Sequence, residues 1–474
     1  MAGVHRKTGV IFLLCACAVT AALSDCGGSG SAPPAASPSG STPPPQPSVH
    51  TDVSTYRDNP GRTGANLTET VLTPANVNSS SFGLLRLLSV DGKVDAQPLY
   101  LAQVAIAGAT RNVVFVATEN DSVYAFDAQS GATLWHVSLL GSGESPSDDR
   151  GCGQITPEIG VTSTPVIDRA AGPHGAIFVV AMSKDSSSNY HQRLHALDIT
   201  TGSELFNGPV MVNPTYSTAA GGEKTFAPGQ YAERAALLLE NHTIYTSWTS
   251  HCDVQPYSGW IVAYSESTLA QTAVLNVAAD SDAGPSVWMS GGGPAADSSG
   301  NIYLITANGG FETTLNSNGL PQYGDYGNSF LKLSTAGGGL AVADYFSPSN
   351  EIAESAADED LGSGGTLKAF TVADAKLANV PSSQTNTQFP YPGTTPAVSA
   401  NGTSNGIVWA VENSNPAVLY AYDATDLTHE LYNSTQAAGG RDNFGAGNKF
   451  IAPTIADGMV FVGTPDGVAV FGLL

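Results

Sequence analysis

The sequence predicts an all-β protein folded as a single propeller of four-stranded sheets. The first observation is composition: the 474 residues include 52 Gly and 29 Pro, and only 12% are charged. This balance is typical of a chain with many strands and turns. The second is a repeated motif of an apolar strand, usually an Asp, a turn and another apolar strand, clearest in residues 123–135 (VYAFDAQSGATLW). The third is its recurrence at intervals of tens of residues, which indicates a repeat fold.

Seven copies of the motif can be traced. Two others are close to the first, residues 194–206 (LHALDITTGSELF) and 419–432 (LYAYDATDLTHELY). The Asp at the turn can accept hydrogen bonds from nearby backbone N–H groups, and the following Gly can supply a positive φ. The aromatic residue after the turn is expected between neighbouring blades, where it buries a large apolar area. The weaker copies are at residues 261–264, 330–333, 367–370 and 468–471.

Two further strands precede most copies of the motif. One combines β-branched and aromatic residues, as in residues 177–180 (IFVV), and the strand before it often starts near a Pro, as in residues 164–167 (TPVI). With the two strands of the motif, each unit has four strands, which is the composition of a propeller blade. The β-branched strands are at residues 113–116, 177–180, 244–245, 302–305, 408–411 and 460–462.

The spacing of the copies predicts about seven blades, one of them short. The third strands ending at Ser334 and Thr371 are closer together than the others, and no apolar second strand lies between them. The last third strand runs to Gly472 without a fourth strand after it. We expect residues 82–90 (FGLLRLLSV) to supply that fourth strand, which would close the ring and remove a free sheet edge.

The first residues predict export. The basic residues 5–7 and the apolar run 10–23, too short to span a bilayer, are typical of a secretory signal. Cys26 follows in a context similar to a lipobox, from which Asp25 departs because a small residue is preferred there. We therefore expect a periplasmic or outer-membrane lipoprotein, with plain secretion as the alternative. The predicted organisation is a signal peptide over residues 1–26, a Gly/Ser/Pro-rich tether over 27–51 and the propeller over 52–474.

Charge and cysteine content narrow the partners and the chemistry. The formal net charge is −23, and no Lys/Arg cluster follows the N-terminus, which argues against nucleic acid as a partner. Membrane contact is expected through the lipid anchor only. Beyond the leader, the cysteines are Cys152 and Cys252, which export would place in an oxidising compartment as a disulfide or as two buried thiols. Their spacing fits no zinc motif.

The repeat resembles that of the pyrroloquinoline-quinone (PQQ) propellers. Residues 125–135 (AFDAQSGATLW) are similar to the tryptophan-docking motif of quinoprotein alcohol dehydrogenases, and residues 196–206 (ALDITTGSELF) match it in part. The resemblance extends from Tyr56 to Gly472. Enzymes share the repeat with a non-enzymatic outer-membrane assembly lipoprotein, so it indicates the fold more strongly than the chemistry.

The resemblance also implies where catalytic members would hold PQQ and calcium above the propeller axis. Each position also has a purely structural explanation. Trp288 would be an inter-blade filler and Asn308 a turn residue. Residues 358–360 would be a solvated acidic loop, and Thr162 and Ser163 would be strand-entry hydroxyls. The adjacent Cys pair of those enzymes is absent, and residues 183–188 contain no Glu where their calcium-binding Glu would lie. The matching positions are Trp288 under the quinone, Asn308 and Asp360 at calcium, Asp360 as general base ahead of Asp358, and Thr162 and Ser163 at the cofactor carboxylates.

Two functions follow from these observations. The first is an exported binding or scaffold propeller that engages a protein or small-molecule ligand and needs no cofactor. The second is a dehydrogenase that uses PQQ and calcium, in which Asp360 takes the proton of an alcohol as hydride moves to the quinone. The departures from the enzymatic pattern favour the binding module.

Overall fold

The structure is a computed structural model that describes residues 50–281, 284–350 and 364–474. Within these ranges the regular structure is almost entirely β-strand, and the helical elements are two 3-10 turns, Ala336–Gly338 and Ala438–Gly440. The predicted all-β class is confirmed. The predicted signal peptide with Cys26 lies outside the described residues, as does nearly all of the tether. In the described ranges, no helix is long and apolar enough to cross a membrane.

Strands are numbered in chain order. The first two, β1 (Ala65–Asn66) and β2 (Phe82–Ser89), pair with strands near the other end of the chain. Sheet I consists of β3 (Leu99–Ile106), β4 (Ala109–Ala117), β5 (Ser122–Asp127) and β6 (Thr133–Ser138). Sheet II consists of β7 (Glu144–Asp148), β8 (Glu158–Ile159), β9 (Val166–Asp168), β10 (Ala176–Asp185), β11 (Tyr190–Asp198) and β12 (Val210–Met211).

The middle of the chain forms a short hairpin and two sheets. The hairpin is β13 (Thr215–Ser217) and β14 (Glu223–Thr225). Sheet III consists of β15 (Tyr231–Glu233), β16 (Leu238–Glu240), β17 (Thr243–Ser250), β18 (Trp260–Ser265) and β19 (Gln271–Asn276). Sheet IV consists of β20 (Ala295–Ala296), β21 (Ile302–Ile305), β22 (Phe330–Ser334) and β23 (Ala341–Phe346).

The C-terminal part forms a short-strand segment and two complete sheets. The short-strand segment contains β24 (Lys368–Ala369), β25 (Val372–Ala373), β26 (Lys376–Leu377) and β27 (Ser383–Gln384). Sheet V joins β1 to β28 (Ala397–Asn401), β29 (Ser404–Glu412), β30 (Val418–Asp423) and β31 (Glu430–Asn433). Sheet VI joins β2 to β32 (Thr454–Ala456), β33 (Met459–Thr464) and β34 (Gly467–Leu473).

The repeated motif forms the predicted turn between the third and fourth strands. In sheet I, Oδ1 of Asp127 accepts hydrogen bonds from the backbone N–H groups of Gln129 and Ser130. Gly131 has a φ of 75°, a conformation that favours glycine. The indole Nε1 of Trp135 then donates to the carbonyl of Ile199 in the turn after β11, at 2.9 Å. The motif thus joins its own sheet to the next one.

The core lies between consecutive sheets. Aliphatic and aromatic residues of sheets I and II form one buried cluster, and equivalent clusters join II to III, III to IV and V to VI. A further cluster joins sheet VI to sheet I, and another packs sheet V against the short-strand segment. Phe206 lies in the II–III cluster and Tyr432 in the V–VI cluster, as predicted for the aromatic residues after the turn.

The N-terminal strand completes the last sheet. β2 runs antiparallel to β34, from the pair Phe82 and Leu473 to the pair Ser89 and Gly467. Phe82 is fully buried and contacts the rings of Trp409, Tyr432 and Phe471. The predicted partner of the last third strand is therefore present.

Sheet pairing is weakest between sheets IV and V. In the described residues 364–396, the strands are two residues long and form two separate pairs. This is the region where the spacing of the motif predicts a short blade.

Residues 52–69, which we call the hub segment, contact all six sheets. The guanidinium of Arg62 donates to the carbonyls of Pro294, Leu237 and Tyr56, each at 2.8 Å, and that of Arg57 donates to the carbonyl of Pro396. One contact for each sheet, I to VI, is Val53 with Tyr100, Ser54 with Ile167, Arg62 with Leu237, Pro60 with Ala296, Gly64 with Val398, and Asn66 with Ile455.

Candidate functional site

A cleft lies where the chain enters the first strands of five sheets. Its walls are the segments that lead into these strands, and Tyr56 of the hub segment forms part of its base. The cleft is therefore formed by the packing of several sheets, and no single repeat contains it. The lining residues from sheets I, II, III, IV and VI are Lys93, Asp95 and Gln97; Gln154, Ile155, Thr162 and Thr164; Arg234; Ser290, Gly291 and Gly292; and Lys449, Phe450 and Ala452.

Hydrogen bonds between neighbouring entry segments hold the cleft together. The backbone N–H of Gln97 donates to Oγ1 of Thr164 at 2.9 Å, and the side-chain amide of Gln97 donates to Oγ1 of Thr454 at 2.9 Å. Gly292 accepts a hydrogen bond from the backbone N–H of Ala236 at 3.0 Å. These bonds connect sheets VI, I and II on one side and sheets III and IV on the other.

The charge of the cleft is opposite to that of the whole protein. Lys93, Arg234 and Lys449 line it, whereas Asp95 is the single acidic residue among the lining residues. In the full chain, 41 acidic residues outnumber 18 Lys and Arg. A cluster of cations within a strongly acidic surface concentrates the positive potential at this one place.

Each cation is held by a different contact. Nζ of Lys93 lies 2.7 Å from Oδ2 of Asp95. The guanidinium carbon of Arg234 lies 6.0 Å from the ring centre of Trp288 and 5.6 Å from that of Phe450, so both rings interact with this charge. The ammonium group of Lys449 lies 5.5 Å from the ring centre of Tyr391.

The absence of a side chain at Gly291 allows it to pack closely against Phe450 in the wall of the cleft. Its φ is 61°, and a Cβ at this position would lie 2.6 Å from the carbonyl oxygen of Phe450. The Gly291 carbonyl accepts a hydrogen bond from the hydroxyl of Tyr56. A side chain at residue 291 would push Phe450 away and loosen the packing against Arg234.

Two buried acids stand behind the cleft. Oε2 of Glu119 accepts hydrogen bonds from the N–H of Gly160 at 2.8 Å and from Oγ1 of Thr162 at 2.9 Å. Burial, and next the charge of Asp95, raise the pKa of Glu119 well above its usual value. Burial raises the pKa of Glu233 to about 8, although the hydrogen bond from the Ser163 hydroxyl acts to lower it. Because protonation is favoured at both sites, these acids do little to neutralise the cations.

The sequence-predicted residues are distributed around this cleft. Thr162 lines it, while the Ser163 hydroxyl points to Glu233 at 3.0 Å. Trp288 is half-buried against the II–III core cluster and contacts the ring of Tyr257 edge-on, at 6.3 Å between centres. Asn308 has a φ of 66°, and its amide donates to Asp253 and to the Tyr257 hydroxyl. Trp288 and Asn308 thus meet at Tyr257, beside the cleft lining.

Trp288 and Asn308 make contacts with other side chains of the protein. The guanidinium of Arg234 lies over the ring of Trp288. The Asn308 amide is engaged by Asp253 and Tyr257 rather than directed into the cleft. Asp358 and Asp360 lie outside the described residues.

Cys152 and Cys252 form a disulfide next to the cleft, with Cα atoms 5.5 Å apart. Cys152 follows β7 of sheet II, and Cys252 follows β17 of sheet III. The bond joins two loops from neighbouring sheets, one of which continues into Gln154 and Ile155 of the cleft lining. It fixes the edge of the cleft between sheets II and III.

The basic residues of the cleft were missed from the sequence, although two carry a local signal. Lys93 and Lys449 each lie a few residues before the Pro that starts a first strand, Pro98 and Pro453. Because Lys is rare in this chain, two Lys residues at equivalent positions indicate that basic side chains lie on the strand-entry side. Arg234 carries no comparable signal.

Comparisons with known proteins agree with the fold. Residues 89–241 match a protein-family model described as outer membrane protein assembly factor BamB. Quinohemoprotein alcohol dehydrogenase from Comamonas testosteroni has a similar structure, with a TM-score of 0.50 and 12% identity over 89% of this chain and 80% of that one. The predicted resemblance to the PQQ-type repeat propellers is confirmed.

Two other solved structures show weaker likeness. A europium-containing methanol dehydrogenase has a TM-score of 0.41 and 12% identity over 81% of this chain and 58% of that one. BamB from Moraxella catarrhalis has a TM-score of 0.36 and 13% identity over 83% of this chain and 100% of that one. None of the curated proteins compared with this chain matches it.

Proposed function

We propose that this protein is an exported binding or scaffold module of the cell envelope whose cleft takes a small anionic ligand. The observation that carries the proposal is the placement of Lys93, Arg234 and Lys449 around one cleft in a chain with a formal net charge of −23. Cations that line a concave site, with backbone groups beside them, suit a carboxylate or phosphate group. The match of residues 89–241 to a family described as an assembly factor supports the binding role.

The cleft offers an anion both charge and hydrogen bonds. Lys93 and Lys449 supply ammonium donors, Arg234 supplies a planar guanidinium, and Thr162 adds a hydroxyl. The acids behind the cleft hold protons more readily than usual, so they oppose an anion less than ionised carboxylates would. Phe450 and Ile155 provide apolar surface for the carbon skeleton of the ligand.

Calorimetric titration of the purified protein tests the proposal. The probes are inorganic phosphate, citrate and PQQ, the last with and without calcium, so that phosphate, carboxylate and quinone ligands are distinguished. We expect at least one of the anions to bind, and Lys449→Ala to weaken it about tenfold, which corresponds to about 1.4 kcal/mol. Failure of every anion to bind would overturn the proposal. Binding of PQQ only with calcium, together with dye-linked alcohol oxidation, would favour the dehydrogenase alternative.

Lys332→Ala is the matched control. Nζ of Lys332 lies 5.8 Å from the ring centre of Tyr303, a contact like that of Lys449 with Tyr391, and Lys332 is also half-buried. It lies on β22, away from the cleft lining. Equal losses of affinity in Lys332→Ala and Lys449→Ala would show that the cleft is not the anion site.

We also propose that the sheets form a closed ring of about seven blades, with the short-strand segment as the deficient one. Packing of sheet VI against sheet I and pairing of β2 with β34 support this arrangement. Phe82→Ala should cost about 3–5 kcal/mol of unfolding free energy, since it empties a site at the closing strand. Leu87 lies on the same strand with 54% exposure, so Leu87→Ala should cost less than about 0.5 kcal/mol.

Export and lipid anchoring at Cys26 complete the proposal. Labelling of cells with a palmitate analogue should modify the wild-type protein and leave Cys26→Ser unmodified. Absence of label from the wild-type protein, together with its recovery in the culture medium, would favour plain secretion, and equal labelling of the two proteins would exclude Cys26 as the site of the anchor.

A further inference from the structure

A second cluster of functional side chains lies at the seam between sheets II and III. Asp168 is the last residue of β9, His242 lies in the turn between β16 and β17, and Glu266 directly follows β18. Ligand atoms of these three side chains all lie within 4.8 Å of one another. None of the three lines the cleft, so the cluster is independent of the proposed anion site.

Glu266 occupies a position that is apolar in the equivalent turns of sheets I, II and V. Its backbone N–H donates to the carbonyl of His242, as that of Ile199 does to Gly175 in sheet II. Ala128 and Ala424 make the same backbone contact in sheets I and V. A carboxylate therefore lies at a position where sheets I and II bury the aliphatic side chains of Ala128 and Ile199.

The Glu266 carboxylate is buried and only partly satisfied. Its side chain is 6% exposed, and Oε2 lies 2.7 Å from Nδ1 of His242. The other oxygen, Oε1, is buried and makes no hydrogen bond. A buried carboxylate oxygen without a donor is costly, and a cation would remove that cost.

A second carboxylate, that of Asp168, faces the same point from sheet II. Burial, and next contact with Asp168, raise the pKa of Glu266, as expected where two carboxylates lie close together. The basic residue that follows Asp168, Arg169, is directed away, because its guanidinium binds Asp52. The two acids thus face each other across the seam with the His242 ring beside them.

A similar turn in sheet II shows what this cluster adds. There, Nδ1 of His174 lies 2.7 Å from Oδ2 of Asp198. The other oxygen of Asp198 accepts hydrogen bonds from the backbone N–H and hydroxyl of Thr200, at 2.8 and 2.6 Å. Both oxygens of Asp198 are satisfied locally, whereas Oε1 of Glu266 is left for a ligand.

We propose that Asp168, His242 and Glu266 form a binding site for a divalent transition-metal ion of the zinc class. One imidazole nitrogen and two carboxylate oxygens make a mixed donor set that Zn²⁺ accepts at about 2.0–2.2 Å. His242 is largely exposed, so a water molecule can complete a tetrahedral shell from the solvent side. The imidazole ligand disfavours calcium and magnesium, which prefer oxygen donors. The bound ion joins sheet II to sheet III across their shared edge.

The test measures metal binding by the purified full chain after treatment with a chelator. Calorimetric titration with Zn²⁺ should show a site that binds at least tenfold more tightly in the wild type than in Glu266→Gln or His242→Ala. Co²⁺ at the same site should give the visible absorption bands of a tetrahedral complex in the wild type only. The melting temperature should rise with Zn²⁺ in the wild type and stay unchanged in both variants.

The variants are chosen to remain folded. Glu266→Gln keeps the shape of the side chain and removes a buried charge, and His242→Ala changes a side chain that is 87% exposed. Asp198→Asn alters the similar turn of sheet II and should leave Zn²⁺ affinity unchanged. Equal affinity in the wild type and both site variants, an equal loss in Asp198→Asn, or tighter binding of Ca²⁺ than Zn²⁺ would overturn the proposal.

Discussion

Asp198 at one end of the strands and the pair Glu119 and Glu233 at the other are carboxylates in opposite electrostatic states. At the turn end, where the third strand of each sheet passes into the fourth, the pKa of Asp198 is lowered: burial alone would raise it, but hydrogen bonds from Thr200 and His174 outweigh burial. At the cleft end, where the first strands begin, burial raises the pKa of Glu119 and Glu233. Asp198 holds its own loop in shape, whereas Glu119 and Glu233 are enclosed by segments distant in sequence.

The comparison shows that one repeat can serve two purposes at its two ends. The turn end is built from local signals, so it recurs from sheet to sheet and stabilises the fold. The cleft end is built where different sheets converge, so its residues differ from one sheet to the next and can acquire a binding role.

The largest effect should come from removing the guanidinium that ties the hub segment to the cleft end. Arg62→Ala leaves the carbonyls of Pro294 and Leu237 without their donor and should lower the unfolding free energy by about 3–5 kcal/mol. Arg86, which donates to the carbonyl of Ala128 at the turn end, is the control. Arg86→Ala should cost about 1 kcal/mol in chemical denaturation. Equal costs would remove the distinction between the two ends.

Glu233→Gln should stabilise the protein, in a manner that depends on pH. The pKa of Glu233 is raised from 4.5 to about 8 in the folded protein, so the unfolded chain releases this proton first as pH rises above 4.5. Wild-type stability therefore falls from that pH up to about 8, by up to about 1.4 kcal/mol per unit. Relative to the wild type, Glu233→Gln should raise the unfolding free energy by about 3 kcal/mol at pH 7 and by almost nothing at pH 4. Glu223→Gln, at an exposed position, should show no such trend.

Asp198→Asn should destabilise the protein with the opposite pH dependence. The lowered pKa of Asp198 means that its contribution is present above its unfolded value of 3.8 and is lost as pH falls through the folded value. We expect a loss of about 1–2 kcal/mol at pH 7 that shrinks below pH 4, measured by urea denaturation over this range. A loss that is the same at pH 3 and pH 7 would contradict the role of the charge.

The smallest effect should come from a single hydrogen bond between sheets at the turn end. Trp135→Phe removes the bond from Nε1 to the carbonyl of Ile199 and keeps most of the aromatic packing. The expected loss is about 1 kcal/mol, independent of pH. Tryptophan fluorescence is not suited to this variant, so circular dichroism should follow its thermal unfolding.

The same contrast explains what the sequence could predict. Asp127, Gly131 and Trp135 each act within one turn and its neighbour, so local pattern was sufficient for the strands, the turns and the role of the aromatic residues. β2 could be assigned to the last sheet because a fourth strand was missing there.

The cleft could be predicted only in part. Thr162 was placed correctly at the strand-entry side, but its partner Glu119 lies in another sheet and carries no pattern that marks it. Lys93, Arg234 and Lys449 are far apart in the sequence, and they meet only because the sheets pack side by side. Trp288 lies beneath the guanidinium of Arg234, a contact that no spacing in the sequence can reveal.

The contacts of the hub segment also limit the order in which parts of the fold can form during synthesis. During synthesis, residues 52–69 are made before any of the sheets, yet two of their contacts, the amide of Asn66 with Ile455 and the carboxylate of Glu69 with Gly458, involve residues that are made almost last. Such sequence-distant pairings slow folding, because a long loop must close before they form. Asn66 and Glu69 therefore cannot complete these two contacts until the last part of the chain has been made, whereas Val53 and Arg62 can find their partners earlier.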